Sequence, residues 1–214
     1  MNKSSTSYIF LFITIISVVF GTGVSLVHYS TQALLAENES LFRNRRIVEA
    51  FGIEPEATSP DAYRQAVENS LTQQTLHAQN RTFTWFMTTA PDRPSFIGVI
   101  VSGMGFWDRI RAIVVLSPDL STIQGIRFLE QHETPGLGAR IEEAEFTGQF
   151  IDLAVNWNAA NGEYIELSSP SDRDKTNAVD GITGATQTSM ALIYFLNREL
   201  RVFRNALIEE QSRG

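Results

Sequence analysis

Three loops concentrate glycine with hydroxyl, carboxylate and aromatic side chains beyond what a turn requires: Gly103-Met-Gly-Phe-Trp107, His132-Glu-Thr-Pro-Gly-Leu-Gly138 and Asp180-Gly-Ile-Thr-Gly-Ala-Thr-Gln-Thr-Ser189. The third opens a long amphipathic segment. Gly184 and Ala185 let backbone approach a ligand closely, and the helix expected to follow offers free N–H groups and the positive end of its dipole to an anion. Thr186, Thr188 and Ser189 add hydroxyls at that mouth, so a phosphate is the natural guest. Ordinary capping of the helix by Thr183 or Thr186 is the competing reading and needs no ligand. No lysine follows the glycines at P-loop spacing, and the dinucleotide GxGxxG pattern is also missing.

The second loop follows an apolar strand. Pro135 and Gly136 make a turn, Gly138 permits close backbone approach, and Glu133 and Thr134 place polar groups at the strand end. A plain structural turn accounts for the same residues. The first loop reads as a strand-to-strand turn carrying one aromatic, Trp107.

Several chemistries are excluded. A chain without cysteine has no disulfide, thiolate metal site or cysteine nucleophile. His28, His77 and His132 show no metal-ligand spacing. Neither Ser189 nor His132 sits in a nucleophile motif. With 17 basic against 24 acidic side chains and a net charge of −7, nucleic acid is excluded as the main partner, because phosphate binding wants a basic face.

The elements that must position these loops are legible in the periodicity. Alternating or continuous apolar runs predict strands at 82–88, 95–102, 109–116 and 122–130, with turns at Pro91-Asp-Arg-Pro and Ser117-Pro-Asp-Leu-Ser. A short helix is expected over 141–151 and a further strand over 164–167. Met190, Ile193, Leu196, Leu200, Phe203 and Leu207 fall on one face of a long final helix. Upstream, Leu34, Leu41 and Val48 recur at heptad spacing until Gly52, Glu54–Pro60 is a linker, and Ser59 with Pro60 starts a helix running toward Leu71. Strands run together and helices sit at the ends. The class is α+β, a mainly antiparallel sheet with flanking helices, preceded by one N-terminal transmembrane helix.

That helix is the anomaly of the composition. Ser4 to Val27 contains no charge, and about 20 of these residues are enough to cross roughly 30 Å of hydrocarbon. A cleaved signal peptide would carry a shorter apolar region and a small-x-small site, whereas the candidate near Ala36 has Leu34 at its −3 position. An uncleaved anchor is the better reading. It divides the chain into an anchor (1–29), a helical stalk and linker (30–80) and a third domain (81–214). Lys3 favours a cytoplasmic N-terminus, but Arg43, Arg45 and Arg46 on the other side leave charge bias undecided.

Taken together, the loops resemble a known family. Asp-x-x-Thr-Gly-Ala-Thr, from Asp180 to Thr186, resembles the flavinylation motif of the FMN-binding domain, a pattern that background composition would produce in roughly one chain of this length in a thousand. Glu133-Thr-Pro-Gly-Leu-Gly138 resembles its second hallmark and Gly103-x-Gly-x-Trp107 a weaker third. The resemblance covers about 99–189. It is to those flavin-carrying components of the Na⁺-translocating NADH:quinone oxidoreductase and of the Rnf complex that have a single N-terminal transmembrane helix before the flavin domain. Thr183 stands where serine is commoner, which keeps a hydroxyl. The stretch from Phe150 to Asp180 is short and the chain length is nearer the Rnf component. The glycine–tryptophan loop and the Val179–Ser189 run look closer to the quinone-reductase component.

The resemblance implies covalent FMN on the Thr186 oxygen, attached by a flavin transferase. Gly184 and Ala185 would leave room for it, with Thr183 and Asp180 shaping the loop. Leu137, Gly138 and Trp107 would line the isoalloxazine, and Glu133 and Thr134 would meet its polar edge. It implies a one-electron carrier with no catalytic acid, base or nucleophile, held in the cytoplasmic (inner) membrane with the flavin domain outside the cytoplasm. Other membrane subunits of an electron-transport complex would be its partners. A stand-alone extracytoplasmic flavoprotein reductase and a cofactor-free membrane-tethered binding domain are the alternatives.

Overall fold

A computed structural model describes residues 6–89, 94–168 and 175–212. Lys3 and most of the turn read at Pro91-Asp-Arg-Pro lie outside the described residues. The chain divides into two compact units, Met1–Leu41 and Phe42–Gly214. From Thr6 the first belongs to the helix α1 (Thr6–Ala50), 45 residues long. By length and composition α1 is able to cross a membrane. Its apolar residues from Ile9 to Leu35 are exposed, with no polar face to set against an apolar one.

The second unit is built on six antiparallel strands in sequence order: β1 (Leu71–Ala78), β2 (Arg81–Thr88), β3 (Ile97–Met104), β4 (Arg109–Leu116), β5 (Thr122–Glu130) and β6 (Leu153–Ala154). Each strand pairs with the next, so the sheet is a meander. The apolar run of β4 is explained by burial on both faces. Ile110, Ala112, Val114 and Leu116 point to one core, Ile113 and Val115 to the other, following the two-residue period of a strand.

The two cores have different sources. On one face lies α4 (Thr186–Gln211), which buries Leu192, Phe195, Leu196, Leu200 and Phe203 with Phe83, Trp85, Val99 and Phe128. On the other, the end of α1 and the residues after it bury Ile47, Val48, Phe51 and Ile53 with Phe86, Ile113 and Val115. Gly98 and Gly125 make that second contact possible. A Cβ on Gly98 would meet the Phe51 ring at 2.5 Å, and one on Gly125 the Ala50 carbonyl oxygen at 2.7 Å.

Several expectations hold and several change. β4 and β5 have the bounds read from the sequence, and α2 (Pro60–Ser70) starts with Ser59 Oγ accepting the Ala62 N–H at 3.2 Å. The segment read as stalk and linker ends differently, because Leu71–Ala78 is a full strand of the sheet. The single helix expected over 141–151 is broken into a 3₁₀ turn (Gly138–Glu142), α3 (Ala144–Thr147) and a second 3₁₀ turn (Gly148–Phe150). Extended backbone at Glu143 interrupts it, while Ile141, Phe146 and Phe150 still reach the core. The strand read at 164–167 is β7 (Glu166–Ser168), which pairs in parallel with β8 (Ala178–Asp180).

Candidate functional site

Each of the three glycine loops leaves the end of a strand. The first joins β3 to β4, where the Gly105 N–H donates to the Asp108 carbonyl at 2.8 Å and turns Phe106 and Trp107 outward. Trp107 is 65% exposed, with its ring edge against Phe106 at 5.1 Å between centroids. The second follows β5. The Thr134 carbonyl accepts the N–H groups of Leu137 and Ala139, both at 3.1 Å, and Gly136 takes φ +74° to close the turn. This leaves Leu137 45% exposed.

The third loop runs from β8 into α4. The Ala185 N–H donates to the Ile182 carbonyl at 2.9 Å, and Gly184 at φ +81° fills the third position of this turn, where a type II turn demands positive φ. Ser189 is fully buried beneath it. Its Oγ accepts the Ile182 N–H and donates to the Ala185 carbonyl, both at 3.1 Å. Asp180 is fixed from two sides: its N–H donates to Gln149 Oε1 at 2.7 Å, and its carboxylate accepts from Ser168 Oγ at 2.9 Å.

Helix α4 begins at Thr186 with Ala185 at the capping position, and no side chain caps it among the described residues. Neither Thr183 nor Thr186 does the capping that an ordinary helix start would ask of it. Both are exposed, and among the described residues the Thr186 hydroxyl has no hydrogen-bond partner, at a helix N-terminus whose first N–H groups have none within the helix.

Glu133 joins the loops. Only 4% exposed, it sits in a loop whose other residues from His132 to Leu137 are exposed. Its Oε1 accepts the Trp107 N–H at 2.9 Å, and its Oε2 accepts from Thr188 Oγ at 2.7 Å. Gly138 is buried against the same pair, where a Cβ would meet Thr188 Oγ at 2.6 Å and the Glu133 carboxylate at 2.9 Å. Leu137 reaches the third loop, lying 3.3 Å from where a Cβ on Gly184 would be. Trp107, Glu133, Gly138 and Thr188 are therefore brought together, as are Leu137 and Gly184, while Asp180 is held apart by Ser168 and Gln149, and there is one difference. Glu133 faces inward, and both its oxygens are spent on protein donors. Gln149 and Ser168, which hold Asp180, carry no sequence signal.

The arrangement fits a flavin phosphate. Uncapped N–H groups and an exposed hydroxyl suit a phosphate, the open space at Gly136 leaves room, and exposed Trp107 and Leu137 offer apolar surface to a planar ring.

Helices on an antiparallel sheet and a glycine-lined helix start define a class of fold, and comparison with known proteins shows what it is similar to. Residues 105–201 match the FMN-binding domain. The chain is 36% identical over 87 residues to the C subunit of the Na⁺-translocating NADH-quinone reductase of Haemophilus ducreyi, covering 41% of this chain and 34% of that one. It is 35% identical over 99 residues to the G subunit of the ion-translocating oxidoreductase complex of Methanosarcina acetivorans, covering 45% and 46%. The chain thus spans between a third and a half of the length of these relatives. In fold it is similar to the crystal structure of the C subunit of the Na⁺-translocating NADH-quinone reductase from Parabacteroides distasonis, with TM-score 0.69 and 20% identity over 82% of this chain and 96% of that one. The Shewanella oneidensis NqrC structure gives TM-score 0.62 at 16% identity over 72% and 88%.

Proposed function

We propose that this chain is a membrane-anchored one-electron carrier with FMN esterified to Thr186. It serves as a subunit of an ion-translocating electron-transport complex of the Rnf or NADH:quinone oxidoreductase type. One observation carries the reading: the residues matched to the FMN-binding domain include a threonine that stands exposed at the start of α4, where among the described residues it has no hydrogen-bond partner and no side chain caps the helix.

The geometry supports one division of labour. The first N–H groups of α4 and its dipole hold the phosphate, and esterification at Thr186 Oγ leaves a diester with one negative charge, well matched to that end of a helix. Gly184 and Ala185 keep the approach open, and Asp180, held by Ser168 and Gln149, shapes the loop rather than touching a like-charged phosphate. Trp107 and Leu137 cover the ring with Gly138 behind them, and Thr134 meets its polar edge. FMN supplies the one-electron chemistry when bound, while the protein supplies position and electrostatics. The apolar helix ahead of the domain keeps it close to membrane partners and raises their effective concentration. The flavin domain lies outside the cytoplasm.

The test is peptide mass spectrometry of the full chain expressed with a flavin transferase. The peptide containing Thr186 gains FMN less one water, and Thr186→Ala removes the adduct. The same adduct retained in that variant overturns the assignment. Protease added to intact spheroplasts degrades the domain; a domain protected until lysis reverses the topology.

A further inference from the structure

We propose that Glu133 is a positioning residue of the FMN site, whose carboxylate ties the Trp107 loop to the first turn of α4 without touching the flavin. The consequence for FMN rests on the function proposed above; the tie itself is a property of the chain alone. A buried carboxylate persists only where donors compensate its desolvation, and here each oxygen has one. They come from different loops, the Trp107 backbone N–H 26 residues upstream and the Thr188 hydroxyl 55 residues downstream.

The space around the carboxylate is cleared by two further loop residues. A Cβ at Gly105 would collide with Oε1, and one at Gly138 would crowd both Oε2 and Thr188 Oγ. Two glycines, a carboxylate and a hydroxyl from three loops form one packed unit.

The direction of Thr188 separates this role from ligand binding. Residues two apart on a helix lie about 200° apart around its axis, so Thr188 and Thr186 face opposite ways. Thr188 is 3% exposed and donates its proton to Glu133, whereas Thr186 faces solvent. Glu133 therefore grips the inner side of the turn whose outer side carries the acceptor hydroxyl. It acts on the flavin only by fixing where Trp107 and Thr186 stand relative to each other.

The tie is tested first in the full-length chain made without a flavin transferase, by amide hydrogen exchange at Trp107. Thr188→Val keeps the side-chain volume but removes the hydroxyl. It should free Glu133 to shift and raise exchange at Trp107 about tenfold, the scale of a lost hydrogen bond to a charged group. Amides of β4 stay at their original rates, and Thr188→Ser restores the slow exchange. Glu133→Gln, whose amide can serve both partners, lies close to the original, and Glu133→Ala matches Thr188→Val. Wild-type exchange at Trp107 in a folded Thr188→Val overturns the proposal.

With flavin transferase supplied, Thr188→Val and Glu133→Ala both slow FMN loading about tenfold, and Thr188→Ser rescues it. Loss of loading in Glu133→Ala but not in Thr188→Val would make Glu133 a direct flavin ligand and overturn the positioning role. Coupled exchange in a chain that never accepts FMN would leave the tie standing and remove the proposed function instead.

Discussion

Gly103 lies directly against the ring of Phe195, with no room between them for a Cβ. The contact joins the end of β3 to the buried face of α4, about two and a half turns beyond Thr186. The first glycine of the Gly103–Trp107 loop thus serves the packing that seats the helix, while the second, Gly105, serves the Glu133 carboxylate. One short loop fixes the height of α4 over the sheet and the place of its first turn.

Gly103→Ala should therefore destabilise the domain by about 2 kcal/mol, the usual cost of overpacking a rigid contact, and lower its Tm by roughly 5 °C. Thermal unfolding measures the loss. Combining it with Phe195→Ala should cost less than the sum of the two single losses, because alanine removes Cγ and Cδ1, two of the three atoms that meet the new methyl. Additive losses in the double variant would show that the two positions do not share that space.

Thr186 makes the opposite case. Its side chain is exposed and caps nothing, so Thr186→Ala should leave stability within about 0.5 kcal/mol while abolishing FMN attachment. Thr186→Ser should keep both. A large drop in Tm for Thr186→Ala would mean that the hydroxyl has a structural partner, and its loss of flavin would then say nothing about the acceptor.

How much of this is legible in the sequence depends on the distance over which each feature is decided. β4 and β5 show their observed bounds because burial on both faces writes a continuous apolar signal. β1 escapes such a reading: only Leu71 and Leu76 are buried, Thr72–Thr75 is polar, and the strand is an edge. Its hairpin turn puts Gln79 and Asn80 at φ 48° and 61°, without the glycine that usually announces such a turn. Loop composition shows which residues gather at the site, but the direction Glu133 faces depends on Thr188, 55 residues away.

The half-buried ion pair over the sheet offers a third prediction. Glu199 has a side chain 6% exposed, accepting from Arg81 Nη1 at 2.8 Å on both oxygens and from Arg198 at 2.9 Å. Removing Arg81 leaves a buried charge to a single, half-exposed partner. Arg81→Met should cost about 3 kcal/mol in urea unfolding. Arg81→Met with Glu199→Leu should recover most of it, since a well-packed apolar pair replaces such a bridge at little cost. A double variant as unstable as the single one would show that the charges themselves hold β2 to α4.

The last prediction concerns pH. In the turn between β4 and β5, Asp119 accepts from Ser117 Oγ at 2.6 Å, from Ser121 Oγ at 2.8 Å and from the Ser121 N–H at 3.2 Å. Chiefly through the Ser117 bond, then those from Ser121, its pKa is lowered from 3.8 to about 2. The turn needs this bracing because Leu120 sits buried at φ +61°, an unfavourable conformation for a side chain with a Cβ. A carboxylate whose pKa is depressed on folding adds stability above its unfolded value, and that stability fades as pH falls through the folded value. The group is solvent-facing, so the gain is smaller than the shift alone would imply. Asp119→Ala should lower Tm by about 3 °C at pH 6. The gap should narrow from pH 4 downward and close only below pH 2, because at about pH 2 the wild-type carboxylate is half protonated. Taking the difference between the two proteins at each pH cancels the titration of the other carboxylates. A gap that stays constant from pH 6 to pH 2 would show that the charge of Asp119 does not brace the turn.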